Sequence, residues 1–296
     1  MTITFNPTKA REILFKIFAM MEDKTFPFDQ PDLFPDAVVP EQVKAGDIEH
    51  ARYLFHAISL DRNRPSPRVY SAMKNILSKL ETLNNLHKIP ESKLIGLLET
   101  HLEKNPTKTP GNPVQSLRDN SQKLELEYNS DPRKLKRKTI EQTAKQIQEF
   151  INYGPRSNTL LIKNYTRFGI WDFPHHEICI KPDRHAIRIA FSTGILETNQ
   201  ENPRAEAAAK ILMNGYQKLC SEEGYSAVQL NDGLWAIGSI LCNKNNQHDC
   251  SMNCAINCKT RSASDKTATW YQPNQESRNM NGKSLFPFES KKEYHP

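Results

Sequence analysis

The stretch GLWAIGSILCNKNNQHDCSMNCAINC, residues 233–258, joins an apolar helical segment to a loop that holds four cysteines. These are Cys242, Cys250, Cys254 and Cys258, spaced C-x7-C-x3-C-x3-C. Thiolates are the soft ligands that iron–sulfur clusters and zinc ions accept, and four of them in one short loop can surround a single centre. The loop therefore predicts a structural metal centre.

Two classes of metal centre, and a loop without metal, remain open at this point. Zinc sites usually contain two C-x2-C pairs far apart in sequence, and this chain has neither. An iron–sulfur cluster is larger than one ion and accepts compact, irregular spacing. We therefore favour an iron–sulfur cluster, with zinc as the alternative. The two remaining cysteines, Cys179 and Cys220, are expected to be buried thiols.

Upstream of the loop, apolar residues recur at helical spacing and no segment alternates as a strand does. Asp47 precedes one apolar stripe and Asp183 another, which is typical of helix N-caps. The predicted helices cover residues 8–22, 47–60, 66–80, 91–102, 113–127, 139–151, 155–168, 183–193, 203–222 and 226–241. The sequence therefore predicts an all-α fold.

Composition divides the chain into four parts. Residues 1–45 hold an N-terminal helix and a proline-rich crossing. Residues 46–138 form a helical subdomain with a basic, partly loop-like insertion at 104–138. Residues 139–258 form a second helical region that ends in the cysteine loop. Residues 259–296 are polar and poor in aliphatic side chains, as is typical of a loosely ordered tail.

The charge balance indicates an anionic partner, although an ordinary basic protein has the same balance. The net charge is +6 and the sequence pI is about 8.9. The basic run at 133–138 is either a solvated helix start or a phosphate-binding patch. No stretch approaches the roughly 18 apolar residues of a membrane span, and the N-terminus lacks the apolar core of a secretory signal. We therefore expect a cytoplasmic monomer that does not enter a membrane.

Two segments together resemble the helix-hairpin-helix DNA glycosylases, the superfamily of endonuclease III and adenine DNA glycosylase. In that family an apolar helix and a glycine precede four cysteines spaced C-x6-C-x2-C-x5-C around a [4Fe–4S] cluster, and the first-to-last span equals the one here. The segment IKPDRHAIRIAFSTGIL, residues 180–196, is similar to the family's V-D-x-H-V-x-R-V. Asp183, His185 and Arg188 fall on its Asp, His and Arg, and the Asp is the family's catalytic carboxylate.

The resemblance covers residues 45–80 weakly and 139–258 better. It implies two helical subdomains with a cleft between them, a [4Fe–4S] cluster in the C-terminal cysteine loop, and DNA as the partner. The family's hairpin reads L-P-G-V-G-x-K, whereas this chain has FINYGPRSNTLL at 150–161, in which Gly154 gives a turn and the second glycine is missing. The position of the Schiff-base lysine of bifunctional members falls on Ser157 or Asn158, and neither is an amine.

An N-glycosidic bond breaks with positive charge developing on the sugar, and a carboxylate beside the sugar stabilises that charge or activates water. Asp183 is the candidate for this carboxylate; its alternative is a purely capping residue. A lyase step needs an amine. Lys163 and Lys181 are the nearest amines, and both are expected on the surface. A monofunctional hydrolase is therefore favoured.

Other contact residues are weaker candidates. Trp171 opens an aromatic run that lines a base pocket or packs in the core, while His185 and Arg188 are expected to be mainly structural. In the turn at 60–68, Arg62, Arg64 and Arg68 are suited to phosphate contact. In the family the equivalent turn carries a residue that fills the gap in the duplex, and the resemblance implies Asn63 or Arg64 for this role.

The sequence thus predicts a base-excision DNA repair N-glycosylase that hydrolyses the bond to a flipped base. One alternative is an N-glycosidase for a modified nucleoside, which the altered hairpin favours. Another is a non-catalytic iron–sulfur protein that binds nucleic acid.

Overall fold

The computed structural model describes residues 2–30, 34–61, 64, 66–102, 106, 111–178, 182–199, 203–242 and 256. This part of the chain contains ten α-helices and one antiparallel pair of two-residue strands. The predicted all-α fold is therefore confirmed. Every helix in these ranges is too short or too polar to cross a bilayer.

Three helices of the N-terminal half begin at a side chain that accepts a hydrogen bond from the first turn. Asn6 accepts one from the Lys9 N–H, and Asp47 accepts one of 2.7 Å from the His50 N–H. The helices of this half are α1 (Pro7–Glu22), α2 (Ile48–Leu60), α3 (Ser66–Leu80), α4 (Glu91–Glu99) and α5 (Pro113–Tyr128). Helix α4 ends a turn earlier than its apolar pattern predicts.

The C-terminal half contributes five further helices. They are α6 (Ile140–Ile147), α7 (Pro155–Arg167), α8 (Arg184–Thr193), α9 (Ala205–Glu223) and α10 (Ala227–Ala236). Helix α6 is shorter than predicted because residues 148–153 form turns instead. Helix α10 continues into a π-helical turn, Ile237–Leu241, so the predicted single helix changes its hydrogen bonding in its last turn.

The first hydrophobic core, called here the first core, consists of buried residues between 51 and 178 together with Val228. Helix α2 lies at its centre, since every residue from 50 to 60 is buried. The Tyr165 hydroxyl donates to the Ala51 carbonyl oxygen at 2.6 Å, and the Tyr153 hydroxyl donates to the Phe55 carbonyl oxygen. These bonds join α7 and the turn before it to the central helix.

The second core joins the two ends of the described chain. It consists of buried residues from α1, α8, α9 and α10, with Ile256. Strand β1 (Thr4–Phe5) pairs with strand β2 (Leu196–Glu197) beside it. A Cβ atom at Gly233 would lie 2.3 Å from Ile17 Cγ2, so only glycine lets α10 approach α1 this closely. The chain therefore crosses twice between the cores, after α1 and after α7.

Candidate active site

A cavity of about 80 Å³, lined by both charged and apolar side chains, lies between the two cores. The first core supplies the end of α2, the start of α3 and one face of α7, while the second supplies the start of α8 and part of α10. Its wall is formed by Phe34, Pro35, Asp36, Asp61, Ser66, Tyr70, Arg156, Leu160, Lys163, Asp183, Asn231, Asp232 and Trp235. This space is called the interdomain cavity below.

Asp183 is both an N-cap and a wall of the interdomain cavity. Its Oδ1 accepts hydrogen bonds from the backbone N–H groups of His185 and Ala186, both at 2.9 Å. Neither bond uses Oδ2. The two bonds hold the carboxylate in one orientation at the start of α8, where the helix dipole also favours negative charge. The capping and cavity-facing interpretations of Asp183 are therefore compatible.

Lys163 is buried, so the prediction that it lies on the surface is wrong. Only 3% of it is exposed, and its Nζ lies 2.6 Å from Asp232 Oδ1 and 3.0 Å from Asp36 Oδ2. Arg167, one turn further along α7, pairs with the same two carboxylates. We call these residues the four-charge cluster. Two cations and two carboxylates balance, which is the condition under which buried charges are tolerated.

The four-charge cluster joins three parts of the chain: the crossing after α1, helix α7 and helix α10. Burial alone would raise the pKa of Asp36, but the attraction of Lys163 and Arg167 outweighs it and lowers that pKa to about 2. Asp36 therefore stays ionised at neutral pH. Because both carboxylates engage the Lys163 ammonium, this amine is not presented as a nucleophile for a lyase step.

Asp61, at the end of α2, is a cavity residue that the sequence analysis missed. Its Oδ1 accepts a hydrogen bond of 3.1 Å from Ser66 Oγ. Burial raises its pKa to about 6, against the opposing pull of Arg156, Ser66 and Arg64. The sequence offered only a weak signal, an acidic residue in an otherwise basic turn.

Tyr70 adds an unpaired donor to the cavity. It is 3% exposed, and its hydroxyl has no hydrogen-bond partner among the residues that the structure describes. Burial, followed by the nearby Asp36 and Asp61, raises its pKa well above the usual range, so the hydroxyl keeps its proton. An orphaned buried hydroxyl on a cavity wall is suited to bind a polar atom of a ligand.

His185 and Arg188 do not line the interdomain cavity. His185 Nδ1 lies 3.0 Å from the Gly238 carbonyl oxygen. Arg188 donates to that oxygen too and to the Cys242 carbonyl oxygen at 2.6 Å. A Cβ at Gly238 would lie 2.7 Å from His185 Cβ, so glycine is required at this contact. Both side chains thus hold the backbone that leads into the cysteine loop.

Several further predicted contact residues lie away from the cavity. Trp171 is buried in the first core, packs against Tyr165 with ring centroids 4.5 Å apart, and donates its indole N–H to the Arg133 carbonyl oxygen. Asn158 is buried, and its amide donates to the Ala144 carbonyl oxygen at 3.2 Å. Trp171 and Asn158 therefore lie in the core, and neither faces the interdomain cavity.

The hairpin and the basic turn are only partly described. Gly154 is the N-cap of α7, and Ser157 in its first turn is partly exposed. Arg64 donates to the Leu60 carbonyl oxygen, and Arg68 is exposed on α3. Arg62, Asn63 and Lys181 lie outside the described residues. Arg156, which the sequence analysis did not select, is the basic residue of this region that reaches the cavity wall.

The basic run at 133–138 makes contacts within the chain. Arg133 pairs with Asp131 at 2.9 Å, Lys136 pairs with Asp172, and Arg137 donates to the Gln146 side chain. These contacts surround the start of α6, where Thr139 is the N-cap.

One of the four predicted metal ligands, Cys242, is described. It is partly exposed and directly follows the π-helical turn, and its backbone N–H donates to the Ile237 carbonyl oxygen. Cys250, Cys254 and Cys258 lie outside the described residues, as do Cys179 and the tail at 259–296. Within the described ranges, no three His, Cys, Asp or Glu side chains are grouped as metal ligands.

The remaining described cysteine, Cys220, has the buried position predicted for it. It lies in the second core, and burial raises the pKa of its thiol to about 12. A thiol in this environment stays protonated and is a poor metal ligand. Of the two described cysteines, Cys242 is therefore the more exposed.

The chain matches no model of a protein family, and no curated protein is similar enough to count as a match. The interdomain cavity and the two segments that carry the resemblance are therefore the features of the chain that bear on its function. Of the residues predicted from those segments, Asp183 is the one on the cavity wall.

Proposed function

We propose that this protein is an N-glycosidase that removes a base from DNA by hydrolysis, with Asp183 as the carboxylate beside the sugar. The observation that carries the proposal is the position of Asp183 on the interdomain cavity, with its Oδ1 held by two backbone N–H groups. A fixed carboxylate in a partly closed space is suited to stabilise the positive charge that develops on the sugar.

The surroundings of Lys163 support hydrolysis without strand cleavage. A glycosylase that also cleaves the strand needs an amine that attacks the sugar carbon. Asp36 and Asp232 hold the buried Lys163 ammonium on two sides. Water activated at Asp183 is then the nucleophile, and the products are the free base and an abasic sugar.

The proposed partner is DNA, with the target base turned out of the duplex into the interdomain cavity. The net charge of +6, Arg156 on the cavity wall and the exposed Arg68 support a phosphate-bearing substrate. Helices α6 and α7 and the turn at Gly154 correspond to the proposed helix-hairpin-helix. The absence of the hairpin's second glycine favours the second candidate, a modified nucleoside, for which no duplex contact is needed.

Release of free base from a substrate panel tests this proposal. The panel contains single- and double-stranded oligonucleotides with uracil, hypoxanthine or 8-oxoguanine, and the corresponding nucleosides. We expect free base from an oligonucleotide whose strand breaks only after alkali treatment, with binding that weakens steeply as salt rises. Release from nucleosides alone would favour the second candidate. Strand breakage without alkali would contradict hydrolysis, and no release from any substrate would overturn the proposal.

We also propose that Cys242, Cys250, Cys254 and Cys258 hold a [4Fe–4S] cluster. Four thiolates suit such a cluster, and the anchoring of the backbone at Cys242 by Arg188 gives the loop a fixed starting point. When bound, the cluster would supply a structural cross-link rather than redox chemistry at the cavity. The bonds from Arg188 and His185 would transmit its position to α8, the helix that begins at Asp183.

Purified protein is therefore expected to be brown and to contain iron and acid-labile sulfide. Cys242→Ser should lose most of the colour and iron, because a thiolate ligand is removed. Cys220→Ala is the matched control and should keep both, since this thiol is buried in the second core. Colourless protein with one zinc ion per chain would contradict the cluster.

A further inference from the structure

Besides Asp36 and Asp232, which pair with Lys163, two further carboxylates reach the interdomain cavity from opposite cores. Asp61 comes from the end of α2 in the first core, and Asp183 from the start of α8 in the second. Cleavage of a glycosidic bond commonly uses a pair of carboxyl groups, one that stabilises the sugar cation and one that gives a proton to the leaving group. Asp183 is proposed for the first task, and protonation of the leaving group requires a second carboxyl group.

Every charged or polar group around Asp61 affects which form its carboxyl takes. Arg156 on α7, Arg64 after α2 and the Ser66 hydroxyl on α3 favour the carboxylate, whereas Asp36 on the crossing segment opposes it. The residue keeps partial exposure because its carboxyl faces the cavity, yet protein surrounds it on the other sides. Burial dominates these effects and raises the pKa of Asp61 to about 6.

We propose that Asp61 is the general acid of this site. It protonates a ring nitrogen of a purine base, so that the base leaves the sugar as a neutral molecule. This inference rests on the proposed N-glycosidase function. A purine is favoured because its N7 is a ring nitrogen free to accept this proton, whereas thymine and uracil present carbonyl oxygens as their acceptors. The Tyr70 hydroxyl, a buried donor on the same wall, is placed to bind a second acceptor of the base.

The proposed step balances as follows. The bond between the sugar C1′ and the base nitrogen breaks, and its electron pair goes to the base. The Asp61 carboxyl proton goes to the base, which leaves as a neutral molecule. Water forms the new bond to C1′ and gives its proton to Asp183, so that the two carboxyl groups recover their starting forms by proton exchange with solvent.

The test measures kcat/KM for hypoxanthine release from an oligonucleotide between pH 4.5 and 8.5, a range that spans the transition at about 6. For the unaltered protein, we expect kcat/KM to fall above about pH 6, because the Asp61 carboxyl loses the proton that it must donate. Asp61→Asn should lower kcat/KM at the acidic end by about 10²-fold and should abolish this fall. Asp172→Asn is the matched control, because Asp172 is an exposed carboxylate outside the cavity. It should change neither kcat/KM nor its fall with rising pH.

Ser66→Ala gives a second, independent measurement. Its hydroxyl donates to the Asp61 carboxylate, so removing it should raise the pKa of Asp61 and move the fall in kcat/KM to higher pH. This variant keeps the Asp61 carboxyl, so it still tests whether Asp61 is the general acid if Asp61→Asn does not fold. An unchanged or lowered transition in Ser66→Ala would overturn the general-acid assignment.

A thermal measurement adds a readout without substrate. Burying a carboxylate is unfavourable, so Asp61→Asn should raise Tm by a few degrees at pH 8 and by much less near pH 3.5, where most Asp61 carboxyls are protonated in both the folded and the unfolded chain. A lowered Tm at pH 8 would contradict the proposed environment of Asp61.

The outcomes separate this inference from the function on which it rests. If the unaltered protein releases hypoxanthine but Asp61→Asn keeps its rate and its pH profile, the general acid is not Asp61 and the glycosidase proposal stands. Release of uracil alone would overturn the purine assignment. If no substrate is cleaved, both proposals fail together.

Discussion

Replacing Asp183 by asparagine is expected to lower kcat/KM for base release by about 10³-fold. The oxocarbenium-like sugar needs a negative charge beside it, and an amide supplies none. Asparagine caps helices as well as aspartate does, so the hydrogen bonds from the His185 and Ala186 N–H groups should persist and Tm should change little. Steady-state kinetics and a thermal scan on the same preparation measure the two effects.

Asp47→Asn is the matched control for this prediction. Asp47 caps α2 in the same way, with a hydrogen bond of 2.7 Å from the His50 N–H, but it does not line the interdomain cavity. Its kcat/KM should stay close to that of the unaltered protein. DNA binding by Asp183→Asn should also persist, because phosphate contacts do not involve this carboxylate. Full activity in Asp183→Asn would contradict the proposed mechanism.

Replacing Lys163 by methionine is expected to lower the free energy of unfolding by about 3–5 kcal/mol at pH 7. Methionine fills much of the same space but leaves the Asp36 and Asp232 carboxylates buried with Arg167 as the remaining cation of the four-charge cluster. Two buried negative charges beside one positive charge are no longer balanced. Urea unfolding followed by circular dichroism measures the loss.

The pH dependence of this loss identifies its cause. In the unaltered protein, the pKa of Asp36 is lowered from 3.8 to about 2, so its contribution to stability is present above pH 4 and is lost as pH falls towards 2. In Lys163→Met the Asp36 carboxylate has lost a cation, so the deficit should shrink as acid neutralises it. Unfolding curves at pH 7 and pH 3.5 should show this convergence.

Lys16→Met provides the control for the loss of a lysine. Lys16 pairs with Glu12 at 2.8 Å on the exposed side of α1, and such surface pairs contribute at most about 1 kcal/mol. A deficit in Lys163→Met no larger than that of Lys16→Met would show that the four-charge cluster does not hold the two cores together.

Much of the local structure was predictable because it depends on neighbouring residues. Helical spacing of apolar side chains and the caps at Asp47 and Asp183 are properties of short segments, and both caps are present. The C-terminal ends of α4 and α6 were less predictable, because the last turn of a helix depends on the turns that follow it and on the elements against which it packs. The buried position of Cys220 was predicted from the general tendency of lone cysteines to be buried, and it is confirmed.

The interdomain cavity was not predictable in the same way. Lys163 and Asp232 are 69 residues apart, and Asp36 lies on another segment again, so no local pattern brings them together. Asp61 lies next to a turn rich in arginine, and its pKa is raised because the residue is buried between helices. For Trp171 the sequence left a base pocket and core packing both open, and its contact with Tyr165 holds it in the first core.

The sequence by itself determined the helices, the cap at Asp183 and the thiol set of the cysteine loop, because each depends on residue types at short spacing. The tertiary structure decided which charges are buried together: it turned Lys163 inward and placed Asp61 and Asp183 on one cavity. The physical reason is that the chain crosses twice between the cores. Those crossings bring distant side chains into one poorly solvated space, where charges must be paired or neutralised.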